Sequence, residues 1–109
     1  MTKRTDYLTA TVDTGATQFA LEHLRMYPLE KIQKVIVAPL QYGAISVSFL
    51  FDTQPNLGFR VNVLNSFCVG YKGEGPWGLH DIMIEAGFPE EVAQRVFEIS
   101  RYDETVLEK

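Results

Sequence analysis

Two stretches decide the fold: Ala44-Ile45-Ser46-Val47-Ser48-Phe49-Leu50-Phe51 and Phe59-Arg60-Val61-Asn62-Val63-Leu64. In the first, Ile45, Val47, Phe49 and Phe51 fall on one side and Ser46 and Ser48 on the other. The second repeats this, with Phe59, Val61 and Val63 inward and Arg60 and Asn62 outward. Alternation at a period of two is the mark of a half-buried strand. Between the stretches, Asp52 to Gly58 has the Pro, Asn and Gly content of a hairpin loop. An antiparallel sheet with one solvated face follows.

Working outward, Lys34 to Ala38 is short, rich in β-branched residues and stopped by Pro39, which predicts another strand. Tyr7 to Val12 alternates in the same way, with Leu8, Ala10 and Val12 on one side. Asp13 then offers a capping oxygen, and Phe19, Ala20, Leu24 and Tyr27 recur at helical spacing, so a helix is expected over Thr14–Met26. Leu29 to Gln33 is compatible with a kinked extension of that helix or with a loop.

Past Ser66 the period changes from two to three or four. Pro76 suits the first turn of a helix, where its missing N–H would be unpaired anyway. Leu79, Ile82, Met83 and Ala86 mark the buried stripe, and Gly87 stands where a left-handed C-cap belongs. Pro89-Glu90-Glu91 opens a second helix, its carboxylates near the positive end of the dipole, with Val92, Ala93, Val96 and Phe97 as its stripe. The tail from Tyr102 to Lys109 is a last strand or a frayed end. The expected fold is α+β: one domain over residues 1–109, a small antiparallel sheet packed with helices and ending in a helical hairpin.

Composition bounds the function. The 109 residues are 46% hydrophobic, enough for one core, and carry a net charge of −4. That charge argues against a partner such as long nucleic acid, whose capture needs a basic footprint. It is unevenly spread: residues 1–72 hold seven basic and five acidic side chains, residues 73–109 three and nine. No apolar run approaches the ~18 residues of a membrane span, and Met1 to Asp6 leads into no signal-peptide core. A single cysteine, Cys68, makes neither an intrachain disulfide nor a cysteine-based metal cluster, and between Phe67 and Val69 it reads as a small core residue. A cytoplasmic protein without a metal or other cofactor is expected.

Chemistry concentrates in Gly70-Tyr71-Lys72-Gly73-Glu74-Gly75-Pro76-Trp77-Gly78, which holds four of the eight glycines. It joins a predicted strand edge to a predicted helix start. Glycines let backbone N–H groups approach a ligand, and the first helical turn leaves donors unpaired with partial positive charge. This is a seat for phosphate, with Lys72 as a point charge and Tyr71 and Trp77 as faces for a base. The Walker and dinucleotide spacings are absent, and a tight structural turn explains the same glycines. Glu74 would repel an anion, so it faces solvent or takes a sugar hydroxyl or amide.

The run Gly70 to Leu79, following strands and opening a helical hairpin, resembles a motif of the phage anti-Thoeris sponge family. That resemblance implies a homo-oligomer of small sheet-plus-helix protomers that buries a cyclic ADP-ribose-like or cyclic oligonucleotide signal without cleaving it, in the cytoplasm of an infected bacterium. It places Tyr71, Lys72, Gly73, Glu74, Gly75, Pro76 and Trp77 around the pocket, with Arg60 or Arg101 as phosphate ligands. The competing reading is an immunity or inhibitor-type interaction module that uses the acidic helical hairpin, Glu90, Glu91 and Glu98, against a basic partner. A third is a hydrolase using Glu74 and His80. Neighbouring helix positions diverge by about 100°, so His80 and Asp81 are not expected to act together, and the bland reading of His80 is a solvent-facing or capping residue. His23 reads as a partly buried helix residue.

Overall fold

The computed structural model describes residues 7–54 and 57–109. The alternating stretches form the centre of a five-stranded sheet, β3 (Ile45–Gln54) paired antiparallel with β4 (Leu57–Leu64). The strands run further into Asp52–Gly58 than the turn residues suggest, and 55 and 56 lie outside the described residues.

Three more strands complete the order β1-β4-β3-β2-β5. β2 (Ile32–Pro39) lies antiparallel to β3, and β5 (Thr105–Glu108) lies antiparallel to β2. The tail is thus a strand, held by the backbone ladder and by Lys34 facing Glu108 across it at 3.3 Å. The sheet is mostly antiparallel, as expected, and β1 (Tyr7–Asp13) departs from that by lying parallel to β4. The reason is connectivity. β1 is followed by a helix that carries the chain to the far side of the sheet, and only β4, returning through two antiparallel steps, comes to lie beside it.

One face of the sheet carries Val35, Val37, Ile45, Val47, Phe49, Phe51, Val61, Val63 and Leu107, all buried beneath the helices. The other face is less wet than alternation suggests. Ser48 keeps 3% of its surface, because its hydroxyl donates to Asn62 Oδ1 at 2.6 Å and accepts from Arg60 Nη2 at 3.0 Å.

Helix α1 spans Thr17–Leu24, inside the expected Thr14–Met26. Gly15 at φ +66° breaks the start, and Thr14 uses its hydroxyl locally, donating to the Ala16 carbonyl at 2.7 Å. Asp13 does not cap the helix; it ends β1 and accepts from Asn65 Nδ2 at 3.1 Å. The buried stripe is Thr17, Ala20, Leu21 and Leu24, while Phe19 faces outward. Tyr27 packs beyond the helix end, its ring centroid 5.3 Å from that of Phe59. Leu29–Lys31 is one 3₁₀ turn leading directly into β2.

Helix α2 (Glu74–Glu85) holds Pro76 in its first turn and closes as the sequence implies. Gly87 at φ +93° donates to Ile84 O, and Phe88 donates to Met83 O, each at 3.0 Å. Those paired bonds form a Schellman C-cap. Helix α3 (Glu90–Ala93) has four residues and tightens into a 3₁₀ turn over Gln94–Phe97, so the hairpin's second arm is shorter than its first. Arg25 joins α1 to α2 through two hydrogen bonds with Glu85, 3.0 Å from Nε and 2.7 Å from Nη2. The pair is well over a third exposed, so solvent screens it. Arg25→Ala is expected to cost up to about 1 kcal/mol, read as a lower urea midpoint with an unchanged slope.

Candidate functional site

The segment between β4 and α2 is pinned at its start. Thr17 Oγ1 donates to Ser66 O at 2.7 Å, and Ser66 Oγ donates to Leu64 O at 2.8 Å. Phe67 and Val69 then enter the core with Cys68 half-buried between them. Gly70 turns the chain at φ +88°, its N–H donates to Val96 O at 2.9 Å, and a Cβ there would lie 2.9 Å from the Ile99 carbonyl. Gly75 packs so closely that a Cβ would fall 2.8 Å from the Cys68 nitrogen, and at Gly78 one would collide with the Thr17 methyl. These glycines thus have packing roles of their own. The first helical bond of α2 runs from Trp77 N–H to Gly73 O at 2.9 Å, and no side chain among the described residues caps the helix. The N–H groups of Glu74 and Gly75 remain as first-turn donors.

Two clefts flank this turn. The first, of about 260 Å³, lies between the start of α2 and the α3–3₁₀ segment and is lined by Lys72, Trp77, His80, Glu90, Gln94, Phe97 and Glu98. Trp77 is 45% exposed, its centroid 4.7 Å from Phe97 and 5.1 Å from His80. Lys72 Nζ stands 5.9 Å from the Phe97 centroid. The second, of about 390 Å³, is bounded by Val69, Gly70, Tyr71, Ile99, Ser100, Arg101 and Tyr102, and it shares Glu98 with the first. Arg101 lies 5.2 Å over the Tyr102 ring. The nearby Cys68 sulfur, helped by burial, pushes the Tyr71 phenol above its ordinary value, so at neutral pH it offers an O–H donor.

His80 departs from expectation. It is buried, with Nδ1 2.9 Å from Asp81 Oδ1 and Nε2 3.0 Å from Glu90 Oε1. Adjacent helix positions do diverge, but the Asp81 side chain reaches back to the ring. With a carboxylate at each nitrogen, only the imidazolium can donate to both. Burial pulls the His80 pKa down, and the bonds to Asp81 and Glu90 with their charges more than offset this, leaving it above the ordinary value. The His80 bond, joined by one from Gln94 Nε2 at 3.0 Å, holds Glu90 below its ordinary value.

No family model, curated protein or solved structure matches the chain. The site therefore stands on its geometry. Of the residues singled out in the sequence, Lys72 and Trp77 share the first cleft and Tyr71 and Arg101 the second, whereas Gly73, Glu74, Gly75 and Pro76 stand at the start of α2 and line neither. Arg60 is not brought to this site. It lies on the opposite face of the sheet, donating to Asn62 Oδ1 at 2.8 Å and to Ser48. Glu74 is exposed and His80 is held by other carboxylates, so the two form no acid–base pair. Sequence reasoning missed Phe97, Gln94, Ser100 and Tyr102. A signal for part of this was present: Glu90, Gln94 and Glu98 recur every four residues, one helix face opposite Trp77 and His80. No three His, Cys, Asp or Glu side chains among the described residues are placed to hold a metal ion, and no helix there is long and apolar enough to cross a membrane.

Proposed function

We propose that the chain is a non-catalytic binder of a small phosphorylated nucleotide, acting by sequestration. The observation that carries this reading is the adjacency of the two clefts through Glu98, one walled by aromatic rings and the other holding Arg101, Ser100 and Tyr71. A flat base fits against Trp77 and Phe97, since every base has a π-face to stack. The phosphate end fits the cations Arg101 and Lys72, one in each cleft, which suit anions. Glu98 and Gln94, between them, accept hydrogen bonds from sugar hydroxyls or exocyclic amines. A signal of the cyclic ADP-ribose or cyclic oligonucleotide kind, as the motif resemblance implies in phage counter-defence, has both parts.

Trp77 is the sole tryptophan, so its emission reports on the first cleft alone. Titration with cyclic ADP-ribose, ADP-ribose and cyclic dinucleotides is expected to give a saturable change for at least one. Ligand at a hundred times its dissociation constant should add about 2.7 kcal/mol of stability, and it should return chemically intact after denaturation. A chemically altered ligand would point to catalysis. Silence towards every nucleotide, with a salt-sensitive response to an arginine-rich peptide, would favour the interaction module built on the exposed carboxylates Glu90, Glu91 and Glu98.

A further inference from the structure

The outward face of α1 breaks the usual rule for a surface helix. Thr17, Ala20, Leu21 and Leu24 point inward. At about 100° per residue, Phe19, Glu22 and His23 then share the opposite side, and Met26 follows them in the turn past the helix end, its N–H donating to His23 O at 3.1 Å. That side should be polar, yet Phe19 is 61% and Met26 80% exposed. The apolar surface continues off the helix, since His23 meets Tyr27 at 5.3 Å between centroids and Tyr27 meets Phe59. Phe59 pairs across the sheet with the exposed Leu8.

The order of these residues is self-complementary. Phe19, Glu22, His23, Met26 set against the reverse order, Met26, His23, Glu22, Phe19, matches apolar with apolar and carboxylate with imidazole. Two copies laid antiparallel about a two-fold axis place Phe19 of one against Met26 of the other, twice. They also place Glu22 opposite His23 of the second copy, twice. An isologous contact needs this kind of match, since each patch meets itself. His23 Nε2 is engaged with the Tyr27 hydroxyl at 3.1 Å, which leaves Nδ1 to face the incoming carboxylate. Sulfur against an aromatic ring is favourable, and antiparallel packing opposes the helix dipoles.

We infer that α1 is the contact surface of a symmetric homodimer, with Phe19, Glu22, His23 and Met26 at its centre. One helix face is small beside a standard interface of about 800 Å² per partner, so the dimer is weak and concentration-dependent. Sedimentation velocity on the full chain over a wide range of concentration is expected to show monomer and dimer in exchange. Phe19→Asp and Met26→Asp should each weaken the dimer by about tenfold or more. Neither side chain is buried, so circular dichroism should remain native. Glu22→Lys should weaken it at low salt and much less at high salt. Val106→Asp alters an exposed apolar residue on β5, at the other end of the sheet, and should leave the dimer intact. A chain that stays monomeric throughout, or a dimer that survives Phe19→Asp and Met26→Asp, overturns the inference. So does a dimer lost through Val106→Asp alone.

Discussion

Trp77→Ala is expected to weaken nucleotide binding by about 5- to 150-fold, the equivalent of the ~1–3 kcal/mol that base–aromatic stacking contributes per base. The indole is the most exposed of the three rings in the first cleft, and its contacts with His80 and Phe97 fix the plane it offers. Truncation removes the accessible wall and leaves Phe97 behind it. Isothermal titration calorimetry is the measurement, since the variant has no tryptophan left to report. Trp77→Phe keeps a flat face and should retain much of the affinity. Arg101→Ala should also weaken binding, and its effect should shrink as salt rises, because it acts on charge rather than on stacking. Arg60→Ala is the internal control. Arg60 lies on the far face of the sheet, so its loss should leave affinity unchanged. Unaltered binding by Trp77→Ala would remove the base from this cleft, whatever else the protein binds.

How much of this was legible depends on the range of the interactions that fix each part. Local pattern alone located β3, β4 and the core stripe of α2, because alternation and helical spacing are set by which face each side chain must bury. The Gly87 cap was equally legible, since a left-handed residue after a helix is a local demand. The parallel pairing of β1 was not. It follows from the path of the whole chain through α1, β2 and β3, which no window of residues contains. The start of α1 failed for a different reason: Thr14 and Gly15 satisfied a tight turn that competes with the helix. At the site, the glycine-rich run marked the right place for an incomplete reason. Gly70, Gly75 and Gly78 are demanded by Ile99, Cys68 and Thr17, neighbours distant in sequence. The same close packing sets Trp77 and Tyr71 at the mouths of their clefts. Arg60 and Arg101 were equal candidates as charges in a sequence; only the face of the sheet separates them.

His80 carries the other large expected effect, on stability and its pH dependence. The ring retains 7% of its surface and touches Trp77 and Phe97. His80→Ala therefore empties a packed site and breaks two hydrogen bonds, at an expected cost of about 2–4 kcal/mol. A domain near this size should lose roughly 4–8 °C in Tm for each kcal/mol. The pH dependence separates packing from charge. The folded-state pKa is raised, so the folded protein holds the proton more tightly than the unfolded chain does. Its contribution is complete below the ordinary histidine value of about 6.5 and declines as pH climbs from there through the raised folded value. Urea midpoints should accordingly fall over that alkaline span in the wild type. His80→Phe fills the ring's place but cannot titrate. Asp81 and Glu90 are more than half exposed, so water can solvate them once the ring no longer donates. This variant should recover most of the stability lost by His80→Ala while losing that alkaline decline. Trp77 gives a second readout. Its ring is edge-on to His80, and a protonated imidazole quenches indole emission, so wild-type fluorescence should rise with pH along the same curve. A midpoint below the ordinary histidine value, or an alkaline decline that persists in His80→Phe, would mean that the two carboxylates do not hold the imidazolium.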